Sequence, residues 1–372
     1  MNEITPIHAE QLKTLERDAR AGARNLLISY LKVKQGSELL IVNEPTMDRR
    51  AVEILEEEAK ALGVRVLTMW TDRFKGPEVL SNALVKAFEA AEITLFNHQV
   101  GGMLRLLPIG GTGLKCFSFA DSLEILGSQF CRVPYEVSAA ILNVVQKQLD
   151  SARSWRITCP AGTDLTGSLT AEELAPKPLK GRTDGFTLLT FPLGVHRPFS
   201  TFQASGQLAV RWLTPSGIHE FDPAGIRLAE PVVMDIDHGR VTGVSGRPEE
   251  VSRLKTYLEA VGREVGKDPY IVNSWHAGLN PLAFSPYRDT DSLERWMFMA
   301  HSNPRLVHFH TVGEVQPGEM SVPVLDPTIS MDGDVIWERG RLVLLEREDI
   351  KASLEGIPEL GDALVQTHEV GV

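Results

Sequence analysis

Apolar positions keep close to helical spacing between residues 9 and 34, at Leu12, Leu15, Ala19, Ala23, Leu26, Leu27 and Tyr30, and Gly36 ends the run. The period then changes. Glu38 to Asn43 forms a short apolar strand pattern, Met47 to Leu62 returns to helical spacing with Gly63 as its C-cap, and Val64 to Met69 is a second strand pattern. This succession is a βαβ unit. It continues through a helix from about Glu78 to Ala90, a strand from Ile93 to Asn97, and a helix from Tyr135 to Ser151 that leads into Ser154 to Cys159. Strands that alternate with helices predict an open, largely parallel sheet covered on both faces.

Near residue 180 the pattern changes. Pro176, Pro178, Gly181 and Gly185 precede short alternating segments at Phe186 to Pro192, Gln207 to Leu213, Val232 to Ile236, Arg240 to Val244 and Val335 to Leu345, which predict antiparallel strands. One helix, Pro248 to Val265, interrupts them. The expectation is an α/β domain over 1–175 with a largely parallel sheet, followed by an α+β domain over 176–372 with a mainly antiparallel sheet. At 372 residues the chain is long enough for two separate cores.

Composition narrows the partners. A net charge of −11 with no long basic block argues against nucleic acid and anionic membrane surfaces, and so favours a small-molecule substrate. No apolar run reaches the length of a membrane span and the N-terminus lacks signal-peptide character, so a cytoplasmic location is expected. Cys116, Cys131 and Cys159 are odd in number and have no Cys-x-x-Cys spacing; they read as buried small hydrophobes rather than disulfides or zinc ligands.

The chemistry concentrates in the last third. His308 and His310 lie in Leu-Val-His-Phe-His-Thr-Val, and on a strand they point to one face while Val307 and Phe309 point to the other. His276, in Asn-Ser-Trp-His-Ala-Gly, is read as a loop residue after Tyr270-Ile-Val. Three imidazoles so close in the chain are a donor set for a transition metal, with His196 as a fourth candidate. Glu319 and Asp326 are the nearest carboxylates, Glu319 as a base, though either can be a turn residue. In the first half, His98 directly follows a strand, the place where ligands bind in open parallel sheets, and is a candidate acid or base. Arg105 and the glycines of Gly110-Gly-Thr-Gly belong to the same region. That stretch lacks phosphate-loop spacing and reads as a turn, and Asp164 reads as a structural turn residue.

Several segments together resemble one family. Asn25-Leu-Leu-Ile-Ser-Tyr-Leu-Lys-Val-Lys-Gln-Gly-Ser-Glu-Leu-Leu-Ile-Val, Gly162-Thr-Asp-Leu-Thr, Gly239-Arg-Val-Thr-Gly-Val, Gly278-Leu-Asn-Pro and Met331-Asp-Gly-Asp-Val-Ile-Trp are similar to the thermophilic metalloaminopeptidases (aminopeptidase T, peptidase family M29). They are equally similar to the related 2,5-dihydroxypyridine 5,6-dioxygenases. The first resemblance implies a paired-metal site with two glutamates, histidines and a His-x-Asp motif. In this chain Val195 or His196 falls where the first glutamate would be, Ser274 where the second would be, and His-x-Asp appears as Glu319-Met-Ser321 or is displaced toward Asp326; His308 matches a family histidine. Two divalent ions held close together need anionic bridging ligands, which neutral residues at these positions do not supply.

The dioxygenase resemblance implies one iron bound by two histidines and an aspartate, with a further histidine as base. His98 lines up with that base, while Ser274 replaces the first iron-binding histidine and His276 follows two residues later. The reading that results is a single divalent transition metal, Fe(II) with Zn(II) or Mn(II) as alternatives, held by His276, His308, His310 and His196, facing a cleft to which His98 contributes. The expected activity is oxygenative opening of a hydroxylated aromatic or N-heterocyclic ring. Metal-dependent aminopeptidase or amide hydrolysis is the alternative, and a binding protein with altered chemistry is a second one. The resemblance also implies a homo-oligomer.

Overall fold

The βαβ succession read from the N-terminal half assembles into a parallel sheet. The computed structural model describes residues 6–76, 80–104, 110–171, 173 and 186–372. Strands β1 (Glu38–Asn43), β2 (Arg65–Trp70), β3 (Ile93–Asn97) and β4 (Leu114–Ser118) pair in parallel in the order β2-β1-β3-β4. All five residues of β3 are buried and β2, at the edge, alternates, as expected for a central and an edge strand. Helices Arg49–Ala61 and Asn82–Ala90 link the first three strands. The long first helix runs from Pro6 to Arg24 and passes into a π-helical stretch, Asn25–Tyr30, where the Leu31 amide reaches the Leu26 carbonyl five residues back at 2.9 Å.

Two expected strand placements are corrected. Ser154 to Cys159 does not extend the parallel sheet: β5 (Ser154–Thr158) pairs antiparallel with β6 (Asp164–Ser168). Conversely β7 (Thr187–Phe191), expected to be antiparallel, adds to the first sheet in parallel beside β4, with Leu114 opposite Thr187 and Ser118 opposite Phe191. β5, Ser-Trp-Arg-Ile-Thr, alternates polar and apolar residues with one face exposed, as antiparallel strands do, whereas Thr-Leu-Leu-Thr-Phe of β7 shows no strict alternation and tertiary packing decides its partner. The chain therefore divides into two units that are not single segments, Met1–Ser138 with Gly181–Leu193, and Ala139–Lys180 with Gly194–Val372. The expected boundary near residue 175 lies outside the described residues.

In the second unit the remaining strands are β8 (Phe199–Ser200), β9 (Ser205–Pro215), β10 (Ile226–Asp237), β11 (Arg240–Ser245), β12 (Val272–Ala277), β13 (Leu306–Thr311), β14 (Met320–Leu325), β15 (Thr328–Met331) and β16 (Asp334–Trp337). The sheet order is β16-β15-β5-β6-β9-β14-β13-β12-β8, with β10 and β11 branching from β9, and every pairing in it is antiparallel. The expected strand Val335 to Leu345 is shorter, because Arg339 and Gly340 turn the chain at positive φ and a 3-10 turn, Val343–Glu346, follows. Helix Pro248–Val265 has the expected bounds and closes on Gly266 at φ 66°. Every residue of β12 and β13 is buried. Among the described residues no helix is long and apolar enough to cross a membrane.

In the first unit Glu58 is the buried electrostatic tie between two helices. It accepts from Arg20 at 2.8 Å and Arg24 at 2.6 Å on the first helix. Burial pushes its carboxyl up, but the two guanidiniums outweigh it and hold it below the ordinary carboxylate range. A carboxyl whose pKa is depressed by folding stabilises above its unfolded value, and the contribution is lost as pH falls through the folded one. Glu58→Gln is expected to lower stability by about 2 kcal/mol at neutral pH. The loss should shrink on acidification, which denaturant melts at neutral and acid pH measure.

Candidate metal centre

The site is built by register. Across β12 and β13, His276 stands opposite His308, Trp275 opposite Phe309 and Ser274 opposite His310. Residues directly opposed in an antiparallel pair share a face, so Ser274, His276, His308 and His310 all point one way. A one-residue slip at Asn273, between Val272 and Ser274, sets this alignment. Followed across neighbouring strands, the same face carries a polar row of Ser200, Ser274, His310, Ser321 and Thr214, and the other face an apolar row of Phe199, Trp275, Phe309 and Val322.

His276 is thus a strand residue, not the loop residue expected. The reason is that both sheet faces are covered there, so Asn-Ser-Trp-His shows no alternation of polar and apolar types. The three imidazoles converge. One ligand atom from each of His276, His308 and His310 lies within 4.8 Å of the others, and the ring centroids are 4.9 Å (276 to 308), 4.7 Å (276 to 310) and 5.0 Å (308 to 310) apart. They are 4%, 6% and 3% exposed respectively. Among the described residues this is the one group of three or more histidine, cysteine or carboxylate side chains placed to hold an ion. Three neutral nitrogen donors and no carboxylate suit a borderline-soft transition metal rather than a hard cation.

His196 lies beside the trio. Its ring centroid is 5.9 Å from that of His276, its Nδ1 contacts the Arg197 carbonyl at 2.6 Å, and its Nε2 accepts the Ala277 amide at 2.9 Å. Those two contacts use the one N–H and the one lone pair of a neutral imidazole. Its backbone serves the trio instead, since the His196 carbonyl lies 2.8 Å from His276 Nδ1. His310 Nδ1 lies 3.1 Å from the Ser274 hydroxyl.

The carboxylates are engaged elsewhere. Glu319 is 1% exposed, pairs closely with Lys267, lies 3.0 Å from His219 Nδ1, and accepts from the Ile218 amide at 3.2 Å. Burial pushes its carboxyl up, and the Lys267 ammonium, with the His219 ring beside it, outweighs that and holds it low. Asp326 binds Arg305 through both oxygens, at 2.7 and 2.8 Å. Asp164 opens β6 and pairs with Arg156 on β5 at 2.8 and 2.7 Å. Neither Asp326 nor Asp164 joins the histidines.

In the first unit His98 is 1% exposed directly after β3; its Nε2 lies 3.1 Å from the Asp72 carbonyl and its Nδ1 accepts the Val100 amide at 3.1 Å. Burial holds its imidazole below the ordinary histidine range. A base role would require the Val100 contact to open. Arg105 lies outside the described residues. Gly111 and Gly113 take positive φ, the chain bends at Gly113, and a Cβ there would come within 2.0 Å of the Glu92 carbonyl oxygen. Cys116 and Cys131 are buried as expected, while Cys159 is only partly so.

One residue escaped the sequence reading. His301 ends the helix Leu293–Ala300, and its ring stands 5.9 Å from that of His308. Its Nδ1 contacts the Met297 and Phe298 carbonyls at 3.1 and 3.0 Å. Lying seven residues before His308, it had no period to link it with a strand pair.

No family model matches the chain, and no curated protein does. Solved structures do. The chain is similar to 2,5-dihydroxypyridine dioxygenase from Pseudomonas putida KT2440, with a TM-score of 0.62 and 18% identity over 90% of this chain and 99% of that one. It is similar also to wild-type AmpT from Thermus thermophilus, with a TM-score of 0.56 and 12% identity over 88% and 99%. The chain has the fold of these two proteins.

If Glu319 is the structural counter-charge that its partners imply, Glu319→Gln lowers stability by about 3 kcal/mol and leaves metal content unchanged. A variant as stable as the parent would instead leave the carboxylate available as a base. Thermal melts and elemental analysis of the same preparation separate the two.

Proposed function

We propose that this chain is a metal-dependent enzyme acting on a small molecule, in which His276, His308 and His310 hold one divalent transition metal. The reaction proposed is oxygenative opening of a hydroxylated aromatic or N-heterocyclic ring. The observation that carries this reading is the donor set itself: three convergent, buried imidazoles on adjacent strands, with no carboxylate in the group. A second ion beside the first would lack an anionic bridge, which counts against paired-metal hydrolysis. The likeness in fold to a dioxygenase acting on a dihydroxypyridine agrees with it.

A divalent metal at this place, as Fe(II), would supply Lewis acidity and the redox chemistry that oxygen requires. The protein's own contributions follow from the geometry. Neutral donors leave the positive charge of a cation uncompensated, so the site favours a substrate that brings its own negative charge, as a ring hydroxyl does once its proton is lost. Burial of the trio excludes bulk water. The departing proton needs an acceptor. His301 fits because its Nδ1 faces helix carbonyls, which only accept, so its lone pair is on Nε2, 3.4 Å from the Ser302 hydroxyl.

A zinc-dependent hydrolase is the second reading, favoured by one observation: three histidines are also the set that lowers the pKa of bound water in catalytic zinc sites. The two readings part on metal and oxygen. Freshly purified protein is expected to contain iron and to consume oxygen with a dihydroxypyridine or a catechol. Zinc, with oxygen-independent release of amino groups from peptides, would select the hydrolase. Each of His276→Ala, His308→Ala and His310→Ala should weaken metal binding about 100-fold or more; full metal retention in all three would refute the assignment.

A further inference from the structure

We propose that Ser274 is a positioning residue which, made a one-way acceptor by Asn273, fixes the proton of His310 on Nδ1 and so leaves Nε2 as the nitrogen that donates to a cation. This inference rests on the proposed metal site, but its starting point is a chain of hydrogen bonds that exists without any ion.

The chain begins at the bulge. Asn273, fully buried, donates from Nδ2 to the Gly313 carbonyl at 2.8 Å. That contact fixes the amide, because the reverse orientation would set two acceptors against each other. Its seat is tight: a Cβ at Gly318, where φ is 84°, would come within 2.8 Å of Nδ2. The Asn273 backbone is held as well, its carbonyl oxygen accepting from the Thr201 amide at 3.1 Å and from Gln316 Nε2 at 3.0 Å. Asn273 Oδ1 is therefore the atom presented to Ser274, at 2.7 Å.

A serine hydroxyl has one proton. Given to Asn273 Oδ1, it leaves the Ser274 oxygen only lone pairs to offer His310 Nδ1, 3.1 Å away. Nδ1 must then carry hydrogen, and in a neutral imidazole the lone pair falls to Nε2. His276 reaches the same state by a simpler route, since the His196 carbonyl beside its Nδ1 is an obligate acceptor. A hydroxyl is not obligate in this way, and Asn273 removes the ambiguity. Asn273, Ser274 and His310 are 0%, 0% and 3% exposed, so no solvent is at hand to reorder the protons. Partners of this kind on ligating histidines fix ring tautomer and orientation.

The test starts with the metal-free full-length chain labelled with 15N-histidine, at about pH 8, above the ordinary histidine range. Long-range 1H–15N correlation spectra, with the His310 signals assigned by their absence in His310→Gln, are expected to show the Nδ1–H form. Ser274→Ala should move His310 toward the Nε2–H form and weaken Co(II) binding about 10- to 100-fold, and Ser274→Thr should restore both. The wild-type spectrum needs no variant to fold. A wild-type chain that binds Co(II) with His310 in the Nε2–H form would overturn this inference and leave the proposed function intact, as would a folded Ser274→Ala with wild-type affinity and tautomer. A wild type in the Nδ1–H form that takes up no metal would support the proton assignment and overturn the proposed function.

Discussion

The pairing register of β12 on β13 is the constraint on which the candidate site depends. With His276 opposite His308 and Ser274 opposite His310, every polar residue of interest faces one side, and Trp275 and Phe309 face the other. Strand faces alternate with period two, so a one-residue slip would carry Trp275 into the site and His276 into the apolar layer. The apolar side resists that slip. Trp275 packs against Phe199, with centroids 5.2 Å apart, and against Trp155 at 5.7 Å, and it is fully buried. Replacing it there with an imidazole would bury unmatched polar atoms. The two rows thus hold each other in place, with the bulge at Asn273 as the point where alignment is set.

A second feature of this unit is that Glu319 and Asp289, which are buried, and Asp326, which is half-buried, lie apart from the histidine trio and beside basic side chains. Glu319 has Lys267 and His219, Asp326 has Arg305, and Asp289 has Arg227 at 2.6 Å with the Trp212 indole N–H at 2.7 Å. Each pair satisfies a charge that burial would otherwise penalise. The consequence for chemistry is that the histidine cluster remains a neutral donor set, and its electrostatic character follows from where carboxylates are tied down as much as from where imidazoles converge.

In the first unit the strand order β2-β1-β3-β4-β7 reverses direction between β1 and β3. Parallel sheets of this kind place ligands beyond the strand ends at such a point. Here the residues at that spot are bound to one another: Asn97 Nδ2 donates to Asn43 Oδ1 at 2.9 Å, Gln99 Nε2 to the Phe74 carbonyl at 2.6 Å, and His98 sits between the Asp72 carbonyl and the Val100 amide. Position in the fold made His98 a candidate, and its hydrogen bonds show what would have to open for it to act.

The sequence by itself determined the element types with strong periodicity, the βαβ succession as far as β3, the helix Pro248–Val265, and the shared face of His308 and His310. These are local properties, set by spacing and end signals within a few turns of chain. It also marked His276 by proximity, though on a loop rather than a strand. Tertiary structure alone decided that β7 joins the parallel sheet, that Ser274 faces His310, that His301 stands beside His308, and that Glu319 belongs to Lys267. Each of these is a choice of partner between distant segments. A short strand such as β7 or a fully buried one such as β12 carries no strict alternation, and a carboxylate in the chain does not announce which basic side chain it will meet, so only packing of the whole unit makes those choices.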